Sequence, residues 1–219
     1  MRVLLLCDDR YHPGQVPTDG IAPLQDKFEF DIITDVENFD HMCLADYQVI
    51  MLSKSDHVSS TNLSPWKTDA MQQAFVDYVE NGGGLVVVHS GTVAGDNVGA
   101  LAHLIGCRFT FHPKDCPVII QPVKPHPITE GVEAFCEMDE HYHIEILTDD
   151  IDVLIAAYAD QQDNTPAAIL TSGYVRKQGK GRVCVLTPGH YLSVWLNANF
   201  QRTLENALRW CAQGIPVSG

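Results

Sequence analysis

From Gly82 to Gly91 the chain reads Gly-Gly-Gly-Leu-Val-Val-Val-His-Ser-Gly, an apolar run released by glycines and ended by two reactive side chains. Leu85–Val88 shows no polar alternation, so it describes a strand buried on both faces, the environment of a parallel sheet covered by helices. Ligands of such sheets gather outside the carboxyl ends of the strands, which puts His89 and Ser90 at the edge where chemistry is done. The outline is that of a nucleophile elbow without its G-x-S-x-G spacing, because Val88 stands two residues before Ser90 and Thr92 two after.

Further strand candidates recur at Val3–Cys7, Phe28–Thr34, Val49–Leu52, Val118–Val123, Val153–Ala157, Ala167–Leu170 and Val183–Leu186. The spacing predicts a helix from about Pro65 to Asn81, capped by Ser64, with Met71, Phe75, Tyr78 and Val79 on one face. A second runs from about Ala198 to Ala212, with Phe200, Leu204, Ala207, Leu208 and Cys211 on one face and Gly214 beyond. Strands alternating with helices predict an α/β fold with a mainly parallel sheet. Between about Gly106 and Thr171 strands and Pro-containing turns dominate, which predicts an antiparallel extension of that sheet and not a separate domain. One domain over residues 1–214 follows, with a short fraying tail at 215–219.

The formal charge of −14, spread without a run of five like charges, disfavours nucleic acid and anionic lipid as partners. No apolar run approaches the roughly 20 residues of a membrane span. The 7 cysteines contain no Cys-x-x-Cys, as expected of reduced, buried thiols in a cytoplasmic protein. Val3–Leu6 is too short for a signal-peptide core and reads as the first strand. Gly179-Lys180-Gly181 is a hairpin turn lacking the spacing of a phosphate loop, so no nucleotide is expected. The remaining partner class is a small molecule, with a homo-oligomer left open.

Titratable side chains collect at the strand ends: Asp8, Asp9 and His12 after the first, Ser53, Lys54 and Asp56 after the third, His89 and Ser90 after the fourth, and His190 after the last. Each alone has a plainer explanation, such as a turn cap for Asp8 or a solvated Lys54; their convergence makes a site. A second dense spot is Met138–Glu145, where Asp139, His141, His143 and Glu145 would share one face of an extended strand. His-x-His on a strand suits zinc or another divalent metal, with His190 or His89 as third ligand and a position left for water. The plainer reading of the same spacing is an edge strand with a polar outer face. Trp195, near His190, is a candidate for stacking on a sugar, with core packing as the alternative.

Several segments resemble the ThuA-like, or trehalose-utilisation, family of the class I glutamine amidotransferase-like superfamily. They are Gly82–Ser90, His126-Pro127-Ile128 with Gly131-Val132 and Phe135, Asp139-Glu140 with Tyr142-His143, Gly179–Val183, Gly189-His190, and the Asn199-Phe200-Gln201-Arg202 to Arg209-Trp210 helix. The resemblance implies a flavodoxin-like doubly wound sheet whose elbow position, a cysteine in glutamine amidotransferases, falls here at His89 or Ser90. It makes His190 the counterpart of the amidotransferase histidine and implies a role in sugar utilisation without amidotransferase activity. The family usually has an apolar residue at the position of His141, which favours His143 as the ligand. Glu140 belongs to the family motif, whereas strand parity puts Asp139 on the His143 face; a bulge would reconcile the two.

Three functions compete. The first is a metal-dependent hydrolase, isomerase or lyase acting on a sugar or keto-sugar, in which His89, His143 and His190 hold the metal or exchange protons and Asp8, His12, Asp139, Glu140 and Trp195 bind substrate. The second is a hydrolase with Ser90 as nucleophile and His190 as base, opposed by the unmatched elbow glycines. The third is a sugar-binding or regulatory module without turnover.

Overall fold

The computed structural model describes residues 1–95, 98–162 and 164–214. In chain order its strands are β1 (Arg2–Cys7), β2 (Glu29–Ile33), β3 (Val49–Ser53), β4 (Gly84–Val88), β5 (Cys107–Phe111), β6 (Cys116–Pro122), β7 (Phe135–Asp139), β8 (His143–Ile146), β9 (Asp152–Ala159), β10 (Ala168–Gln178) and β11 (Gly181–Leu186). Its helices are α1 (Gln15–Gly20), α2 (Asp69–Glu80), α3 (Ala100–Ile105), α4 (Leu192–Leu196) and α5 (Ala198–Cys211). Nine strands form one sheet in the order β2-β1-β3-β4-β11-β10-β9-β6-β7, and β5 pairs with β8 apart from it. From β2 to β11 all neighbours are parallel; from β11 outward through β10, β9, β6 and β7 all are antiparallel. This is a doubly wound α/β sheet with an antiparallel extension.

Strand parity divides the core. Val3, Leu5, Met51, Val86 and Val88 face one side, where they pack with Trp195 of α4 and Phe200, Leu204 and Leu208 of α5. Leu4, Leu6, Ile50, Leu52, Leu85 and Val87 face the other, against Met71, Phe75 and Val79 of α2 and Leu101 and Leu104 of α3. With both faces covered, β1, β3 and β4 are largely apolar runs, and their carboxyl ends lie together at one edge of the sheet.

Three expectations are corrected. Helix α2 begins at Asp69, not Pro65, because the Asp56 carboxylate accepts from the backbone N–H groups of Trp66 and Lys67 and holds that segment as a loop. Thr68, not Ser64, caps the helix by accepting from Met71 N. The strand expected near Ala167–Leu170 continues to Gln178, past an irregularity at Gly173, and hairpins into β11 through Gly179 at φ 56. Finally, Met138–Glu145 is not one strand: β7 ends at Asp139 on the edge of the main sheet and β8 begins at His143 in the small one. Asp139 and His143 therefore share no strand face, and residues 140–142 are freed to turn inward, where all three are buried. No helix among the described residues is long and apolar enough to cross a membrane, and the expected tail at 215–219 lies outside those residues.

Candidate functional site

Three loops leaving the parallel strands at the same edge carry histidines: His12 after β1, His89 after β4 and His190 after β11. His89 stands at φ 48, a left-handed conformation that a residue with a Cβ adopts at a cost of about 1–3 kcal/mol and that the surrounding structure must hold. The following turn presses Gly91 against the Leu52 carbonyl and Val87, leaving no room for a Cβ there. His89 is thus the elbow tip. Its ring is buried, stacked on Tyr142 with centroids 4.0 Å apart.

Each ring is oriented from behind. His89 Nδ1 lies 2.8 Å from the Thr187 carbonyl oxygen, which can only accept, so Nδ1 carries the proton and Nε2 presents a lone pair. His12 Nδ1 lies 2.8 Å from Asp9 Oδ1, which fixes the same tautomer. Asp9 is fully buried and also accepts from the N–H groups of Tyr11 and Ser55. Burial alone would raise its carboxyl, but the bonds from His12, Ser55 and Tyr11 override it and hold it well below the usual carboxylate range. For His190 the loop itself is fixed. Both Asp139 oxygens accept backbone N–H groups, from Gly189 and His190 at 2.9 Å each, and the Trp195 indole donates to the Gly189 carbonyl at 2.8 Å.

Glu140 enters this ring of imidazoles from the antiparallel side. Its Oε2 lies 3.2 Å from His89 Nε2, and its Oε1 lies 3.2 Å from His190 Nδ1 and 3.3 Å from His112 Nε2. One ligand atom from each of His12, His89, Glu140 and His190 falls within 4.8 Å of every other. These close approaches are not aligned as hydrogen bonds: among the described residues, His89 Nε2, Glu140 Oε2 and His190 Nδ1 are buried with no hydrogen-bond partner. Buried polar atoms left unmatched and aimed at one point are costly unless something occupies it. Three imidazoles, two with Nδ1 tied to a carboxylate or carbonyl, and one carboxylate form a donor set that fits zinc or a similar divalent ion, including its outer partners.

The charges are set by the same geometry. Burial would raise the Glu140 carboxyl, yet the neighbouring imidazoles, His190 first among them, hold it well below the usual range, so it is a carboxylate. Burial pushes His89 down and keeps it neutral, against the pull of Glu140. Burial also disfavours the charged form of His190, but Glu140 and Asp139 outweigh it and raise this imidazole. Asp139 moves up because burial dominates the two N–H groups it accepts.

Of the residues singled out in the sequence, His12, His89, Glu140 and His190 come together, with Asp139 behind His190. His12 supplies a ligand atom to the cluster, although its spacing suggested only substrate contact. His143 is corrected: it sits in β8, stacked on Phe111 at 4.1 Å, and contributes no atom to the cluster. His141 is turned into the core toward the Ala157 carbonyl. Trp195 is fully buried, so it supports the Gly189 loop and offers no face to a sugar. Asp8 holds loops, accepting from Gly14 N and Ser60 N at φ 76. Ser90 Oγ is fully buried and bonds to nothing among the described residues, so it has no base in His190. His112 was not anticipated. Its signal is the short Arg108-Phe109-Thr110-Phe111 alternation that makes β5 and places a histidine at its end.

A profile of the ThuA family, described as trehalose utilisation, matches residues 5–211. Among solved structures, a ThuA-like protein from Bacteroides uniformis superposes with a TM-score of 0.76 at 21% identity, covering 96% of this chain and 91% of that one. One from Parabacteroides merdae gives 0.77 at 17% identity, covering 100% and 92%. A glutamine amidotransferase from Thermotoga maritima gives 0.61 at 9% identity, covering 97% and 98%. At these identities the likeness is one of fold. Curated proteins gave no match.

Proposed function

The chain belongs to the ThuA (trehalose utilisation) family, and from that premise we propose that the histidine cluster is the metal centre of an enzyme acting on a sugar or keto-sugar. The observation that carries this reading is the convergence of His12, His89, Glu140 and His190 within 4.8 Å, with three of the facing atoms buried and unpartnered. His12, His89 and Glu140 would hold zinc or another divalent ion, which supplies a Lewis acid for a substrate hydroxyl or carbonyl oxygen.

The chain's own residues divide the remaining work. The Thr187 carbonyl and Asp9 fix the tautomers of His89 and His12, and Asp139 fixes the backbone that carries His190. His190 differs from the other two rings: among the described residues neither of its nitrogens is tied to a carbonyl or carboxylate by a hydrogen bond, and its side chain is 21% exposed. It is the group to hold and move a proton, its basicity raised by the neighbouring carboxylates despite burial. A proton donor and acceptor beside a polarised oxygen suits hydrolysis, or isomerisation and elimination next to a ketone. Glutamine amidotransfer is not proposed, since the elbow carries His89 and Ser90 where a thiol would be needed.

Metal content of purified protein by inductively coupled plasma mass spectrometry, paired with turnover of disaccharides and their keto forms, tests the reading. The expected result is bound divalent metal at stoichiometric level and turnover abolished by chelation. Protein that takes up no stoichiometric ion after loading with Zn²⁺, Mn²⁺ or Co²⁺ overturns the metal centre. Sugar-dependent thermal stabilisation with no product from the metal-loaded protein overturns the enzymatic part and leaves a binding module.

A further inference from the structure

We propose that His112 and Asp115, sharing Glu140 with the first centre, form a second divalent-cation site, so that Glu140 is a bridging carboxylate and the centre is dinuclear. The proposal rests on the reading of the first cluster as a metal centre. His112 leaves the end of β5 with its Nδ1 2.8 Å from the Pro113 carbonyl oxygen. That oxygen can only accept, so Nδ1 carries a proton and, in the neutral ring, Nε2 presents a lone pair. This lone pair faces Glu140 Oε1 at 3.3 Å. A nitrogen lone pair and a carboxylate oxygen at that distance repel unless a proton or a metal ion joins them, and Asp115 beside the same pair supplies a third donor suited to the metal ion.

A third donor stands at the same place. The ligand atoms of His112, Asp115 and Glu140 all lie within 4.8 Å of one another, a group that meets the first only at Glu140. One Asp115 oxygen accepts from the hydroxyl of Tyr191, the residue after His190, which orients the carboxylate as an outer partner orients a ligand. Both Glu140 oxygens have imidazole neighbours: Oε2 faces His89 of the first set, while Oε1 lies between His190 of the first set and His112 of the second. A carboxylate placed in this way can span two ions about 3.5–4 Å apart, the separation of two-metal hydrolytic centres.

The test is stoichiometry and magnetic coupling on the full chain. Protein stripped with chelator is titrated with Zn²⁺ and, separately, with Mn²⁺, and bound metal is counted after gel filtration. The proposal expects two equivalents for the parent protein with at least one of the ions, and one for His112→Gln and for Asp115→Asn. With Mn²⁺, the second equivalent should broaden and diminish the six-line electron paramagnetic resonance signal of the first, and neither variant should show that coupling. One equivalent in the parent protein, unchanged in His112→Gln, overturns the second site and leaves the first standing. No bound ion overturns both. Two equivalents retained in both variants overturn the assignment to these residues. The parent protein's count and coupling decide the matter even if a variant fails to fold.

Discussion

The parallel half of the sheet and its antiparallel extension bring different chemistry to one edge. From the parallel half come three imidazoles, each on a loop directly after a strand buried on both faces. From the extension and the small β5-β8 sheet come the carboxylates Asp139 and Glu140 and the fourth imidazole, His112. In the first region position follows from strand ends, which packing on both faces holds rigidly. In the second it follows from interruptions, where the chain leaves one sheet at Asp139 and enters another at His143. A scaffold of the amidotransferase kind thus provides nitrogen donors by topology, and the extension closes the site by folding a carboxylate back over them.

Glu140→Ala strikes where the two regions meet, and the largest effect is expected there. Removing the one group that touches His89, His190 and His112 should weaken metal binding by more than about 100-fold, beyond the 10–100-fold typical of outer partners. Activity should fall with it while the fold persists, because a buried carboxylate is lost and no apolar packing goes with it. Full metal occupancy in this variant, read by mass spectrometry, would confine the centre to the parallel half.

Asp139→Ala probes the same junction mechanically. It strands two backbone N–H groups, of Gly189 and His190, and should cost about 2 kcal/mol of stability, seen as a lower urea midpoint with an unchanged slope. A second probe of the loop is Trp195→Phe, which removes the bond to the Gly189 carbonyl, for about 1 kcal/mol, and adds the packing loss of a smaller ring in the core. If Trp195→Phe changed sugar affinity and left stability alone, its placement as a pillar of the loop would be wrong.

The same contrast explains what could be read from the sequence. Leu85–Val88 and Val3–Cys7 are legible because burial on both faces demands continuous apolar residues, and their ends locate His89 and His12. Strand β5 escapes notice because Cys107-Arg108-Phe109-Thr110-Phe111 is half exposed and short, so His112 goes with it. The break after Asp139 is invisible to a pattern of alternation, since Asp139, His141 and His143 keep a period of two straight through it. What ends β7 there is tertiary: both Asp139 oxygens are claimed by the Gly189–His190 backbone, a partner about fifty residues away. His143, the natural choice from spacing, is left against Phe111, and Glu140, which alternation points the wrong way, becomes the centre.

Acid titration gives the smallest effect and separates the regions by sign. Asp9 belongs to the parallel half; burial works against its ionised form, but His12 and the Ser55 and Tyr11 N–H groups hold its folded carboxyl below the unfolded value of 3.8. A group depressed on folding binds its proton more readily when unfolded, so the stability it contributes is complete above that value and fades as pH falls through the folded one. Asp139, in the extension, is raised by burial and has the opposite sign: its ionisation costs stability as pH rises through the folded value. In chelator-treated protein, the stability advantage of the parent over Asp9→Asn should therefore shrink as pH falls below about 4. The advantage over Asp139→Asn should instead grow on acidification from neutrality, before the carboxyl is fully protonated. Parallel curves for the two variants, measured by thermal midpoint between pH 3 and pH 7, would show that the two carboxylates are equivalent supports and that the division between the regions has no electrostatic counterpart.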